Sequence, residues 1–297
     1  MRILFRLLSR LPLAVNHALG ATLGRMVYAM SPRYRRRVLE NLGRSGVCTG
    51  PAEVRRLAHA NAAEIGKGAT ELAWALFRSE DAVALVRERH GWQAVERLRA
   101  GNRAIVFVTP HLGSYDVAGR YLWKQLPILA MYRPHKIFWI DQLLREGRNR
   151  GAAPDGTNVA PANMAGVRMV LKHLRRGGCT VLLPDQVPGI GEGEWVEFFG
   201  RPAYTMTLLG RLQESTGAAI VFCYAERLPR GRGFDMHFLP LETPLSPDRR
   251  IAARQVNEMV ETLVRSCPTQ YLWGYNRYKH PAGAPPPPQA ARSAGTL

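Results

Sequence analysis

Hydrophobic and polar positions divide the chain into a helical first third and a longer region in which strands and helices alternate. Short apolar runs predict buried strands over residues 103–109, 128–132, 180–183, 218–225 and 234–239. Helical patterns lie between and after them, over about residues 114–125, 136–149, 162–176 and 248–266. The alternation predicts an α/β fold with a mixed, mostly parallel sheet flanked by helices.

The N-terminal segment, residues 1–30, has a basic amphipathic pattern. At about 100° per residue, Arg2, Arg6 and Arg10 share an arc of about 80°, and the leucines at positions 4, 7, 8 and 11 share an arc nearly opposite. The following stretch before Arg25 is shorter than the roughly 18 to 20 apolar residues of a spanning helix. We therefore expect residues 1–30 to associate with a membrane interface. A signal peptide and a helix packed into the core are the alternatives.

Two further regions follow from composition. Residues 31–280 form the main domain, and residues 281–297 contain four consecutive prolines and no aromatic residue, which predicts a disordered or extended tail. The four cysteines are widely spaced without a C-x-x-C pair, so neither a zinc site nor a disulfide framework is indicated and a reducing compartment fits.

The chain is strongly basic. Its 41 Lys and Arg residues against 23 Asp and Glu residues give a net charge of +18, which favours anionic partners such as nucleic acid, phospholipid head groups or acidic proteins. The basic residues are dispersed and no nucleic-acid-binding motif accompanies them, so we expect no nucleic-acid partner. A basic nucleic-acid-binding protein stays the competing class on charge alone.

The candidate chemistry lies where the first strong strand ends. His111 and Asp116 are separated by four residues, and Gly113 and Ser114 between them indicate a tight turn into a helix that Ser114 caps. Ligands of open α/β sheets gather outside the carboxyl ends of strands. A neutral imidazole there takes a proton from a hydroxyl, while the carboxylate fixes the tautomer and stabilises the imidazolium. The alternative is a structural loop histidine beside an aspartate that begins a helix.

Asp185 and Gln186 follow the 180–183 strand and are predicted at the same edge of the sheet. Asp185 fits an orienting carboxylate better than a metal ligand, because no second acidic or histidine residue stands at ligand spacing. No metal is expected. Phe199 and its aromatic neighbours Trp195 and Phe198 fit either the lining of an apolar channel or ordinary core.

Seven sequence strings, taken in order, resemble those of bacterial lipid A secondary acyltransferases, the lauroyl and myristoyl transferases of the lysophospholipid acyltransferase superfamily. The likeness covers roughly residues 1–280. The strings are VTPHLGSYD (108–116), MYRP (131–134), EGRNRG (146–151), LLPDQ (182–186), FFGRPAYT (198–205), STGAAIV (215–221) and YLWGYNRYK (271–279). The family often has Glu where this chain has Asp116, which keeps the acidic role with a shorter reach.

The resemblance implies an enzyme that moves an acyl chain from acyl carrier protein to a hydroxyl on the hydroxyacyl chains of a phosphorylated glycolipid. It implies the cytoplasmic face of the inner membrane as the location, with anionic membrane lipid as a further partner and no cofactor. The acidic carrier, the phosphorylated acceptor and the membrane all suit a basic protein. Acylation of an aminolipid or lysophospholipid, and a non-catalytic membrane scaffold, are the alternatives.

The same resemblance assigns roles to individual residues. His111 is implied as the general base and Asp116 as its acidic partner. Arg148 corresponds to a family arginine near the active site, suited to an acceptor phosphate or a developing oxyanion. The further implied substrate-binding residues are Arg133, Asp185, Gln186, Phe199, Gly200 and Thr205. For the acidic carrier protein we expect docking at Arg145, Arg150, Arg175 and Arg176.

Overall fold

A computed structural model describes residues 2–132 and 159–287. Its helices are α1 (Arg2–Arg10), α2 (Leu13–Met30), α3 (Pro32–Gly43), α4 (Pro51–Phe77), α5 (Ser79–Ala84), α6 (Trp92–Ala100), α7 (Tyr115–Gln125), α8 (Met164–Arg175), α9 (Leu208–Thr216) and α10 (Arg249–Ser266). Its strands are β1 (Val86–His90), β2 (Ile105–Val108), β3 (Ala130–Tyr132), β4 (Val159–Pro161), β5 (Cys179–Leu182), β6 (Gly193–Phe198), β7 (Arg201–Met206), β8 (Ala219–Arg227) and β9 (Phe234–Pro240). Short 3-10 helices lie at Pro229–Gly231 and Pro268–Gln270.

The central sheet has the strand order β1-β9-β8-β2-β5. Strand β2 pairs in parallel with both β5 and β8, β1 pairs in parallel with β9, and β8 and β9 form the antiparallel pair. This confirms the α/β class and the mixed, mostly parallel sheet. The predicted strand at 128–132 is shorter than expected, because β3 leaves the main sheet and pairs with β4.

Strand β2 lies inside the core, and its four residues are all buried. Ile105 and Phe107 pack into the apolar cluster on one face of the sheet, and Val106 and Val108 pack into the cluster on the other. A strand buried on both faces reads as a continuous apolar run, which is why the sequence pattern located it. Because β2, β5 and β8 are parallel, the residues that follow them reach the same edge of the sheet.

Two regions differ from the sequence-based expectation. Strand β1 lies in the part that was expected to be helical as far as about residue 100, since its VRERH sequence has no apolar alternation and its last four residues are exposed at the sheet edge. Strands β6 and β7 form an antiparallel hairpin in a region for which no strand was predicted. Both elements depend on pairing with partner strands, and apolar periodicity carries no information about such pairing.

Helices α2 and α4 approach each other closely through glycines. A Cβ atom at Gly24 would lie 2.0 Å from the carbonyl oxygen of Ala62, and one at Gly66 would lie 2.0 Å from that of Gly20. No side chain fits between the two backbones at these positions. In the described ranges, 2–132 and 159–287, no helix combines the length and apolar character needed to cross a membrane.

The start of the Pro-rich segment makes tertiary contacts. The ring of His280 stacks on Trp195 with centroids 5.7 Å apart, and the indole Nε1–H of Trp195 donates a hydrogen bond to the carbonyl of Pro285 at 2.8 Å. Ala284 is buried in the same small cluster. A buried indole N–H needs an acceptor, and the segment at 281–287 supplies it. Residues 288–297 of the predicted tail lie outside the described residues.

The glycine contact predicts a large effect of one added methyl group. Gly66→Ala forces α2 and α4 apart and should lower the free energy of unfolding by about 1–3 kcal/mol, measured by chemical denaturation. Gly43→Ala, in α3, is the matched control, because a Cβ there meets nothing within 4 Å. Equal stability of the two variants would contradict the close backbone contact.

Candidate active site

The turn that follows β2 carries His111, and its backbone is held by hydrogen bonds on several sides. The Gly113 N–H donates to the carbonyl of Gln270 at 3.1 Å, and the Ser114 N–H donates to that of Ala225 at 2.8 Å. Gly113 has φ +64°, and a Cβ at this position would lie 2.0 Å from the Ala225 carbonyl oxygen. Glycine is therefore required both for the left-handed backbone and for the close approach to β8.

The imidazole of His111 is hydrogen-bonded to Asp185, which comes from the loop after β5. The ring Nδ1 lies 2.8 Å from Oδ1 of Asp185, and the backbone N–H of His111 donates to Oδ2 at 2.9 Å. The Asp185 side chain is 3% exposed and that of His111 is 13% exposed. On the other side of the ring, Nε2 of His111 lies 3.1 Å from Nε2 of Gln186. The structure thus brings together His111, Asp185 and Gln186, three of the sequence-predicted site residues.

Electrostatic contacts favour a charged pair at this position. Burial favours the neutral imidazole, yet the charge of Asp185 and its hydrogen bond, with a further contribution from Asp116, raise the pKa of His111. Burial likewise opposes ionisation of Asp185, but the charge and hydrogen bonds of His111 lower its pKa. An Asp185 carboxylate that is ionised and fixed keeps the proton of neutral His111 on Nδ1 and leaves the Nε2 lone pair to accept a proton.

Asp116 lies in the first turn of α7, as expected, and acts on the imidazole through its charge. It also raises the pKa of Tyr115, whose ring packs edge-on to His111 with centroids 5.0 Å apart. Ser114 occupies the N-cap position, but its side chain makes no capping hydrogen bond, so the expected cap is wrong in that respect. The Nδ1 hydrogen bond that spacing suggested for Asp116 is made by Asp185.

A cavity of about 170 Å³ lies beside Asp116. Its polar lining includes Thr109, Tyr115 and Arg120, and its remaining walls are largely apolar, with Trp123, Met131, Val181 and Leu183 among them. The cavity therefore joins an acidic group of the site to a surface suited to an apolar chain.

Three of the predicted substrate-binding residues lie in the β6–β7 hairpin. The Phe199 N–H donates to Glu261 of α10 at 2.9 Å, and the Phe199 ring is buried. Gly200 is the second residue of the turn, with φ +69°. Thr205 is fully buried, and its hydroxyl oxygen accepts a hydrogen bond from Arg277 at 2.6 Å. The structure uses these residues to join the hairpin to the core, and their contact with substrate stays a prediction.

The predicted arginines divide into two groups. Arg133 and Arg148, together with Arg145 and Arg150, lie outside the described residues. Arg175 ends α8 and Arg176 follows it, shortly before β5 begins. They therefore lie at the amino edge of the sheet, opposite the edge that carries His111, and do not border the candidate site. Arg175 and Arg176 therefore do not belong to a docking surface beside the site, because closeness along the sequence does not imply closeness in space.

Comparison with known proteins defines the class. A model of the bacterial lipid A biosynthesis acyltransferase family matches residues 1–280. The chain is similar to the Escherichia coli (strain K12) lipid A biosynthesis lauroyltransferase, with 28% identity over 282 residues that cover 94% of this chain and 90% of the relative. Two more proteins of the same strain, the lipid A biosynthesis palmitoleoyltransferase and myristoyltransferase, are each 25% identical. They align with 91% and 85% of this chain and with 87% and 77% of their own lengths.

The chain is thus an α/β acyltransferase with a histidine and carboxylate site at the carboxyl edge of its sheet. It belongs to the bacterial lipid A biosynthesis acyltransferase family.

The geometry predicts which carboxylate controls the titration of His111. Asp185→Asn should lower the pKa of His111 more than Asp116→Asn does. The charge of Asp185 has the larger effect on the imidazole, and Asp185 also forms the hydrogen bond to it. A base must be neutral to act, so the acid limb of the pH–rate profile should move to lower pH. Titration of the His111 ring signals by NMR measures the shift directly. A larger fall in Asp116→Asn would make Asp116 the main partner.

Proposed function

We propose that the chain transfers a fatty acyl group from acyl carrier protein to a hydroxyl of a hydroxyacyl chain on a phosphorylated lipid A precursor. The observation that carries the mechanism is the His111 ring held at Nδ1 by the buried Asp185 carboxylate, with Nε2 directed to Gln186. The family and its lipid A acyltransferase relatives support the acceptor class. The net charge of +18 supports acidic and phosphorylated partners.

In this mechanism the acceptor hydroxyl replaces the Gln186 amide at Nε2 of His111. The imidazole takes the hydroxyl proton while the oxygen attacks the thioester carbonyl, and Asp185 stabilises the imidazolium that forms. The carbon–sulfur bond then breaks, the ester remains on the acceptor, and the imidazolium returns the proton to the departing thiolate. Asp116 adds negative charge near the ring, and Arg148 is the proposed contact for an acceptor phosphate or the developing oxyanion.

Direct transfer without an acyl-enzyme is supported by the state of the potential nucleophiles. Burial raises the pKa of the Cys223 thiol to about 12, and burial together with the charge of Glu226 does the same for Cys267. Burial also raises the pKa of Cys179. Protonated thiols are poor nucleophiles. Ser114 is buried and is not part of a G-x-S-x-G turn.

The cavity beside Asp116 is the proposed place for an apolar part of a substrate. Its apolar walls suit methylene groups, and its polar end adjoins the residues around the His111 turn. We assign it to a fatty acyl chain of the reacting substrates.

Acyl transfer by purified protein tests the function. Acyl carrier protein loaded with a fatty acid is incubated with a lipid A precursor, and the product is identified by mass spectrometry. His111→Ala should lower turnover by about 10²- to 10⁴-fold, because the proton acceptor is lost. His59→Ala is the matched control, since His59 is exposed on α4 and should leave turnover unchanged.

The acceptor panel separates the alternatives. Product on an aminolipid or lysophospholipid, with none on the lipid A precursor, would contradict the proposed acceptor. Full turnover in His111→Ala would contradict the mechanism. Binding of the carrier protein and lipid without any transfer would indicate the scaffold alternative.

Membrane association at the inner-membrane cytoplasmic face belongs to the same proposal, and the outer face of α2 supports it. Exposed apolar side chains follow one side of this helix, within about 120° at 100° per residue. They are Val15, Leu19, Leu23, Met26, Val27 and Met30. Exposed arginines lie on α1, on α2 and on the following helix, namely Arg6, Arg10, Arg25, Arg33 and Arg36. An apolar area flanked by positive charge is suited to bind an anionic lipid surface.

The apolar face of α2 predicts a measurable lipid interaction. Val27→Glu combined with Met30→Glu should lower co-sedimentation with anionic phospholipid vesicles at least tenfold, since two apolar contacts are replaced by charges of the wrong sign. Ile251→Glu, on the exposed side of α10, is the matched control and should bind as the unaltered protein does. Unchanged sedimentation of the double variant would place the lipid contact elsewhere.

A further inference from the structure

A buried cluster of charged side chains lies directly behind the His111 turn. Arg227, the last residue of β8, is 4% exposed and donates from Nε and Nη2 to the two carboxylate oxygens of Glu71 on α4, at 2.5 and 2.8 Å. Its Nη1 donates to Glu64 at 3.1 Å and to the side-chain oxygen of Gln270 at 3.3 Å. Such a pair is costly to bury unless its remaining donors and acceptors are satisfied, and here they are occupied on several sides.

The pair is ionised. Burial alone would raise the pKa of Glu71, yet the charge of Arg227 and the hydrogen bonds from His17 and Arg227 lower it to about 2. Burial would also lower the pKa of Arg227, and the charge of Glu71 raises it instead. The contact between the two side chains therefore persists over the whole pH range of an enzyme assay.

The guanidinium also contacts the turn that carries His111. Nη2 of Arg227 donates to the carbonyl oxygen of Gly113 at 3.2 Å, two residues after His111. Gln270 completes the arrangement, because its carbonyl accepts the Gly113 N–H while its side chain bonds both the N–H and the carbonyl of Arg227. The Gly113 N–H is thus held by Gln270 of the 3-10 helix, and the Gly113 carbonyl by Arg227 at the end of β8.

We propose that Arg227 is a positioning residue for the general base. Its planar guanidinium is fixed by Glu71 and holds the Gly113 carbonyl, which sets the orientation of the turn and so the direction of the His111 ring. A lysine cannot reproduce this, because a single ammonium lacks the rigid fork that contacts a carboxylate and a carbonyl together. This inference rests on the proposed role of His111.

The positioning contact extends to the membrane-facing helix. Nε2 of His17 on α2 lies 2.5 Å from the same Glu71 oxygen that accepts from Nε of Arg227. The side of α2 opposite its exposed apolar face is therefore three hydrogen bonds away from the Gly113 carbonyl, through Glu71 and Arg227. Glu71 is the common partner of His17 and Arg227.

The competing explanation is that the cluster only stabilises the fold. A single variant and a double variant distinguish this explanation from positioning of the turn. Arg227→Gln alone leaves Glu71 buried without its arginine and should lower the melting temperature strongly. Arg227→Gln combined with Glu71→Gln removes both charges and leaves two amides that hydrogen-bond each other, so most of the melting temperature should return. The Gly113 carbonyl still lacks its donor, because a glutamine is shorter than an arginine.

In the double variant, kcat should remain about tenfold to hundredfold below that of the unaltered enzyme, with little change in the KM for acyl carrier protein, because misplacement of a catalytic group by about 1 Å has an effect of this size. Amide hydrogen exchange at Gly113 and Ser114 should become faster, while exchange at Phe107 inside β2 should not. Arg227→Lys keeps a positive charge beside Glu71, so it should melt above Arg227→Gln and still lose turnover.

Recovery of both melting temperature and kcat in the double variant would overturn the proposal, as would unchanged exchange at Gly113 and Ser114 or full turnover in Arg227→Lys. The exchange measurement needs no substrate. A chain that acylates no lipid acceptor but shows the predicted exchange would contradict the proposed function and leave the positioning of the turn by Arg227 supported.

Discussion

The parallel pairing of β2 with both of its neighbours is the constraint on which the site depends. Strands β5 and β8 flank β2 in the same direction, so the loops after all three reach one edge of the sheet. That edge receives His111 from β2, Asp185 from β5 and Arg227 from β8. The three residues are far apart in the chain, and no local element has to bring them together. A sheet that is buried on both faces supplies the rigidity that a hydrogen-bonded histidine needs.

The buried carboxylates of Asp185 and Glu71 are tolerated because hydrogen-bond donors surround both. Asp185 accepts two hydrogen bonds from His111, and Glu71 accepts from both His17 and Arg227. In both cases the partner outweighs the tendency of burial to neutralise the carboxylate. The two carboxylates hold the His111 turn from opposite directions, one through the ring and the backbone N–H of His111 and the other through Arg227 and Gly113.

The N-terminal helices have a different role in the architecture. Close glycine contacts attach α2 to α4, which carries Glu71, and leave the apolar stripe of α2 exposed. An exposed stripe of this kind on an enzyme whose family acts on lipid is consistent with a lipid-facing surface. The His111 turn, the buried ion pair of Arg227 and Glu71, and the proposed membrane helix α2 are thus connected through α4.

The sequence by itself determined the α/β class, the principal buried strands and the position of the His111 turn. Apolar runs identify strands buried on both faces, and residues that follow such strands are exposed at one edge. Asp185 and Gln186 were identified at that edge for the same reason. What the tertiary structure decided is which carboxylate bonds the imidazole. The four-residue spacing indicated Asp116, but Asp185 from the loop after β5 makes the bond, and the distance between that loop and the β2 turn is not encoded in local spacing.

Only the tertiary structure revealed Arg227 and Glu71 as neighbours of the turn. Glu71 lies within an ordinary helical pattern and Arg227 lies two residues beyond the predicted 218–225 strand. They are 156 residues apart, and neither forms a motif with His111. The edge strand β1 and the β6–β7 hairpin were likewise missed. Strand β1 is short and polar, and the two hairpin strands, GEWVEF and RPAYTM, show no strict alternation of apolar and polar residues. Local sequence patterns predict individual elements and the residues at their ends, whereas contacts between distant segments depend on how the sheet and helices pack.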